Sequence, residues 1–160
     1  MGSQLDQQPP VVESQIPIPP WLDEQTAGLV RAITGTVALC HTNLRAVILF
    51  GSVARHDERP LEDTEPSDVD LLLLFDLAPG CNRLSLEHRL GVDASICVAL
   101  DRYLDAPREV NTVLAAGDLS DWDPAFVEAV AQDGIVLWRS GSLPSFLSPL
   151  ARRESSAVDA

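Results

Sequence analysis

The chain has 160 residues, of which 46% are hydrophobic, and a formal net charge of −13; its 11 basic residues are all arginines. This length and composition are typical of one globular domain with a substantial core. A surface this acidic repels phosphate backbones, which argues against non-specific binding to nucleic acid unless the arginines cluster.

The two ends of the chain differ in composition from its centre. Residues 1–20 contain five prolines and predict an extended N-terminal arm; residues 21–139 predict one domain, and residues 140–160 predict a loosely held tail. No apolar run reaches the ~18 residues of a membrane span, and no signal-peptide pattern is present. Cys40, Cys81 and Cys97 lack metal-ligand spacing and are expected to be small buried residues. We therefore expect a cytoplasmic protein without a membrane partner.

Two apolar runs dominate the first half of the domain. Helical spacing from 21 to about 41 predicts a helix, and the runs 46–50 and 69–75 predict buried strands. The second strand is entered through Asp68 and contains Asp70. Because strand side chains alternate, the roots of these carboxylates lie about 6 to 7 Å apart on one side. Like charges this close repel unless a cation separates them, so the pair predicts a divalent-metal site.

A possible phosphate-binding turn follows the first strand. Gly51 and Ser52 end that strand, and residues 53–55 open a short helix. A glycine lets backbone approach a ligand closely, and amides at a helix start attract anions. Ser52 adds a hydroxyl donor, and Arg55, about one turn later, can reach the same phosphate oxygens. Gly-Ser after a strand also occurs in ordinary turns, so the two aspartates supply the context.

The remaining elements are predicted from local patterns. Residues 53–67 form an acidic, proline-containing loop, and 83–90 a short helix. The run 92–99 predicts a strand carrying Asp93, either an edge residue or a third metal ligand. Helices are predicted at 101–104 and 108–116, and again at 125–132, where Asp123-Pro124 is a strong start signal. A last strand is predicted at 135–138.

The order of these motifs resembles the nucleotidyltransferase superfamily related to DNA polymerase beta. The likeness lies in Gly51 to Arg55, then Ser67 to Leu71, then Asp93, and it is nearest to minimal nucleotidyltransferases, including those encoded as antitoxins beside HEPN-domain toxins. The resemblance implies an α/β fold with a mixed sheet of about four strands and helices packed against it. It also implies that Asp68, Asp70 and Asp93 hold two Mg²⁺ ions, and that Gly51, Ser52 and Arg55 hold the phosphates of ATP or another NTP.

The implied activity is transfer of a nucleoside monophosphate, AMP from ATP, to a hydroxyl acceptor with release of pyrophosphate. A partner protein such as a HEPN-type toxin is the favoured acceptor. Alternatives are a catalytically inactive module of the same fold that binds a partner, and transfer to a small molecule such as an aminoglycoside. The chain departs from the family pattern at His56, where a glycine is usual, and in its longer loop before Asp68.

Overall fold

The computed structural model describes residues 12–117, 119 and 122–150. Parts of the predicted arm and tail, residues 1–11 and 151–160, lie outside the described residues. Near the ends of the described chain, Ile16, Leu147 and Leu150 are buried, although all three lie outside the predicted 21–139 range. Apolar residues on both sides of that range therefore pack onto the domain.

One four-stranded mixed sheet forms the centre of the fold. Its strands are β1 (Leu44–Phe50), β2 (Val69–Phe75), β3 (Val110–Ala116) and β4 (Ile135–Arg139), in the order β3-β2-β1-β4. β1 pairs antiparallel with β2 and β4, whereas β2 and β3 are parallel. The predicted α/β fold with a mixed sheet of about four strands is confirmed.

The helices begin at side-chain caps that the sequence displays. Asp23, Ser85 and Asp123 each accept a hydrogen bond from a backbone N–H in the first turn of the helix that follows. These helices and the short helix after β1 are α1 (Glu24–Cys40), α2 (Ser52–Arg55), α3 (Leu86–Asp101) and α4 (Pro124–Asp133). Single 3₁₀ turns lie at Glu13–Gln15 and Ser145–Leu147.

β2 is buried on both faces, which explains its continuous apolar run. Leu71 and Leu73 pack with α1 on one face, and Leu72 and Leu74 pack on the other face with residues of α4 and the C-terminal segment. α3 packs on α1 and forms the outermost layer on the first side. By alternation, Asp70 lies on the same face as Leu72, the side of α4.

Three predicted elements were wrong: the helix predicted at 101–104 is absent because α3 ends at Asp101, and two others are of the opposite type. The run 92–99, predicted as a strand, lies in helix α3, and the segment 108–116, predicted as a helix, contains strand β3. The run in α3 contains both buried and exposed apolar residues, so it shows no helical period. β3 is held extended by parallel pairing with β2, a non-local interaction that local propensity does not reveal.

The surface differs from expectation at the cysteines. Cys40, Cys81 and Cys97 are all exposed, so the prediction that they are small buried residues was wrong. Cys97 is exposed because it lies on the side of α3 that faces away from α1. Among the described residues, no helix has the length and apolar character needed to cross a membrane.

His88 lies in surroundings that disfavour its charged form. Its ring stands edge-on to Phe75, with 4.7 Å between ring centroids, and its Nε2 lies 3.1 Å from Oδ1 of Asn43. Burial, and then the nearby charges of His41 and Arg89, lower the pKa of His88 below its ordinary 6.5. The folded chain therefore stays neutral here at pH values where the unfolded chain takes up a proton.

We expect His88 to reduce the free energy of unfolding as the pH falls below 6.5 and towards its lowered folded-state pKa. Urea denaturation at about pH 7.5 and about pH 5.5 measures this loss. His88→Gln keeps a hydrogen-bonding side chain without titrating, and should lose less stability over the same interval. Equal losses in the two proteins would contradict the assignment.

Candidate functional site

Gly51 brings the end of β1 against the start of β2. Phe50 is in register with Asp70 across the antiparallel pair, and Gly51 follows with φ 81° and ψ −160°, a conformation that essentially only glycine adopts. A Cβ atom built on Gly51 would lie 2.5 Å from Oδ2 of Asp70. The glycine is therefore required twice, for its backbone angles and for the close approach of the carboxylate.

Asp68 and Asp70 share one amide as a neighbour. Nδ2 of Asn111 donates a hydrogen bond to Oδ2 of Asp68 at 3.0 Å and a longer one to Oδ1 of Asp70 at 3.5 Å. Asn111 is in register with Asp70 across the parallel pair of β2 and β3. The two predicted metal ligands are thus close together, and the residue beside them on the next strand is an asparagine.

The environment of Asp70 disfavours its charged form. Burial raises the pKa of Asp70 above its ordinary 3.8, the hydrogen bond from Asn111 opposes this, and the charge of Asp68 raises the pKa further. A weaker opposing effect on this pKa comes from the guanidinium of Arg55. A cation beside the two carboxylates would offset both the cost of burying a charged Asp70 and its repulsion by Asp68.

A buried arginine positions the chain just before Asp68. Nη1 of Arg108 donates a 2.8 Å hydrogen bond to the carbonyl oxygen of Ser67, whose hydroxyl accepts a 2.7 Å bond from the backbone N–H of Arg59. Nε of Arg108 lies 3.9 Å from Oδ1 of Asp23, the residue that caps α1. The entry to β2 is therefore tied to the first helix and to the preceding loop.

Arg55 lies near the pair but is engaged by other acids. Its Nε donates to Oδ2 of Asp57 at 3.3 Å, and its Nη1 lies 4.0 Å from Oδ2 of Asp133 at the end of α4. Ser52 is the first residue of α2 and is half-buried. Arg55 would have to exchange these partners to contact a phosphate.

The departure at His56 has a structural reason. His56 adopts the left-handed conformation, φ 59° and ψ 40°, which usually favours glycine. Its ring stacks on Trp21 with 4.3 Å between centroids and 9° between planes, and Nε1 of Trp21 donates a 2.7 Å bond to the carbonyl oxygen of Val53. Trp21 thus supports a left-handed turn at a residue that has a side chain.

Asp93 is not in the predicted place. It lies in α3 rather than in a strand, its side chain is exposed, and the helix packs on the sheet face opposite Asp70. Within residues 12–117, 119 and 122–150, no group of three His, Cys, Asp or Glu side chains is placed to hold a metal ion. The strand prediction for Asp93 was wrong because residues 92–99 lie in α3, and the strand that pairs with β2 comes later, at Val110–Ala116.

Two residues of this site were missed from the sequence. Asn111 was placed in a predicted helix, so its position beside Asp70 was not foreseen, and Arg108 gave no motif signal. A strand assignment for 110–116 would have revealed Asn111. The oxygen donors beside Gly51 are therefore the two carboxylates, to which Asn111 presents its amide N–H, and two carboxylates suit a single Mg²⁺ ion completed by water and phosphate oxygens.

Comparison with known proteins yields structural similarity alone. No protein-family model and no curated protein matches this chain. A toxin–antitoxin structure with AMP-PNP is similar at 18% identity and a TM-score of 0.45, over 80% of this chain and 86% of the other. A variant of the MntA–HpeT toxin–antitoxin pair gives 17% and 0.43, over 79% and 84%. A structure from Sulfolobus solfataricus, assigned as a nucleotidyltransferase, gives 21% and 0.40, over 73% and 88%.

Proposed function

We propose that this protein is a Mg²⁺-dependent nucleotidyltransferase that transfers AMP from ATP to a hydroxyl group of a partner protein. The observation that carries the proposal is the pair Asp68 and Asp70 against the turn at Gly51, with the pKa of Asp70 raised. A cation is the natural occupant of such a pair, and a glycine that admits no side chain leaves room beside it for phosphate oxygens.

Each residue has a role in this proposal. Asp68 and Asp70 would hold Mg²⁺, which offsets the charge of the triphosphate when it is bound. Gly51 and Ser52 would receive phosphate oxygens, and Arg55 would add a positive charge after leaving Asp57 and Asp133. An acceptor oxygen bonds to the α-phosphorus, the bond from that phosphorus to the bridging oxygen breaks, and pyrophosphate leaves. The hydroxyl proton passes to solvent.

A second function is favoured by Asn111. An amide in place of a third carboxylate leaves one fewer negative ligand beside the pair, which suits nucleotide binding without the second ion of a two-metal reaction. In that case the protein would bind Mg–ATP and inhibit or assemble a partner without modifying it. Binding and transfer must therefore be measured separately.

The test pairs a binding titration with a transfer assay. Binding of a fluorescent ATP analogue with Mg²⁺ should be weaker by roughly tenfold or more in the Asp68→Asn plus Asp70→Asn variant than in the unchanged protein. Label from the α-phosphate of ATP should pass to a partner protein, first the product of an adjacent HEPN-type gene, and this variant should abolish the transfer. Asp93→Asn is the matched control for the binding titration, since its exposed carboxylate on α3 should leave binding of the ATP analogue unchanged.

The outcomes separate the two functions. Mg²⁺-dependent binding without any labelled protein would support the binding module and overturn transfer. Absence of Mg²⁺-dependent binding would overturn both. Loss of binding in Asp93→Asn would restore that residue as a ligand and contradict the site described above.

A further inference from the structure

Helix α3 is apolar on two opposite sides. One side, with Val92, Ile96 and Ala99, is buried against the rest of the domain. On the other side Leu86 is 73% exposed, Leu90 58% and Val98 59%. Two smaller exposed residues, Ala94 and Cys97, continue this outer side. We call Leu86, Leu90, Ala94, Cys97 and Val98 the α3 stripe.

The α3 stripe is contiguous rather than scattered. Leu86, Leu90, Ala94 and Val98 are four residues apart and Cys97 is three residues after Ala94, which is the spacing of a single helix face, and the row extends over about 18 Å. Isolated exposed leucines are ordinary, but an apolar row three turns long marks an interaction surface. In the part of the chain that the structure describes, no segment buries it. Residues four apart form an inclined ridge, and such a ridge is suited to pack into the groove of another helix.

Charge decides what kind of helix fits. At 100° per residue Glu87 lies on one flank of the α3 stripe and Asp93 on the other, while Asp101 follows at its end. Arg89 lies farther round the helix, and the guanidinium of Arg102 is occupied by Glu13 at 3.0 Å. A second copy of the chain would oppose acids with acids, and each copy carries a net charge of −13.

We propose that the α3 stripe docks an amphipathic helix of a partner protein, with an apolar row flanked by lysine or arginine. The apolar rows supply the buried contact, and the basic flanks pair with Glu87, Asp93 and Asp101. The stripe lies on the α1 side of the sheet and Asp70 on the α4 side. Docking therefore leaves the carboxylate pair open, and this proposal stands independently of the proposed catalytic function.

The test uses two synthetic helices of about 21 residues that share one leucine row, one with lysine and arginine flanks and one with glutamate flanks. Fluorescence anisotropy with the full-length protein should show binding of the basic helix alone, weakened by added salt. Leu86→Ser plus Leu90→Ser should weaken it at least tenfold, roughly. Leu104→Ser is the matched control, because Leu104 is 81% exposed but lies beyond α3, and its binding should be unchanged.

Cys97 reports where the helix binds. Alkylation of its exposed thiol should slow when the basic helix is added, and should not slow in the double-serine variant. Equal binding of both helices, or full binding by the double-serine variant, would overturn the proposal. So would a dimer in sedimentation equilibrium that the double-serine variant dissociates, because the occupant would then be a second copy. Unchanged melting temperatures establish that the serine variants fold.

Discussion

Replacing Gly51 with alanine is expected to lower the free energy of unfolding by about 2 to 4 kcal/mol and to weaken Mg²⁺-dependent nucleotide binding. The backbone angles at this position, φ 81° and ψ −160°, are costly for any residue with a Cβ. The new Cβ would also lie 2.5 Å from Oδ2 of Asp70, so the carboxylate or the turn must shift. Urea denaturation measures the first effect, and ATP-analogue titration measures the second.

Gly141→Ala provides the control for backbone strain alone. Gly141 also has a positive φ, 77°, but a Cβ built on it would meet no atom within 4 Å. We expect a loss of about 1 kcal/mol and no change in nucleotide binding. If Gly51→Ala costs no more stability than Gly141→Ala and binds nucleotide normally, Gly51 does not shape the site.

Replacing Asn111 with aspartate is expected to tighten Mg²⁺ binding about tenfold or more while destabilising the metal-free protein by about 1 kcal/mol. The change removes the donor that bridges Asp68 and Asp70 and adds a third negative charge in register with Asp70. Without metal, this charge raises the pKa of Asp70 further. With metal, it supplies a third hard oxygen ligand. Thermal melts across a Mg²⁺ titration measure both effects.

Asn111→Ala separates loss of the amide from gain of the charge. It should lose the bridging hydrogen bond without gaining Mg²⁺ affinity. Equal Mg²⁺ affinities in the alanine and aspartate variants would show that this position cannot contribute a ligand. Appearance of labelled partner only in Asn111→Asp would favour the binding module as the natural function, because one carboxylate would then separate binding from transfer.

Much of the fold could be predicted because its signals are local. The apolar runs of β1 and β2, the Asp123-Pro124 start of α4 and the last strand all lie where the sequence placed them, within a few residues. The two motifs were also found at the end of one predicted strand and the start of the next, and the antiparallel pairing of β1 with β2 brings Gly51 against Asp70. Hydrophobic periodicity, helix caps and turn residues favour a local structure through neighbouring residues and need no distant partner.

The second half of the chain could not be predicted in the same way. α3 carries apolar residues both on the side that packs on α1 and on the exposed side. Its sequence therefore shows no helical period, and residues 92–99 were predicted as a strand. β3 is an edge strand whose extended form depends on pairing with β2. Because residues 92–99 are helical and residues 110–116 form the strand beside β2, Asn111 rather than Asp93 lies next to Asp70.

The sequence by itself determined two buried strands, the glycine turn after the first and the two aspartates at the start of the second, because alternation and turn residues are properties of the local chain. Only the tertiary structure decided which side chain stands beside those aspartates, that Arg108 holds Ser67, and that Trp21 supports His56 in a left-handed turn. These contacts join residues 35 to 43 positions apart, from Trp21 with His56 to Asp68 with Asn111. Packing across such separations is a property of the whole fold, and no local pattern encodes it.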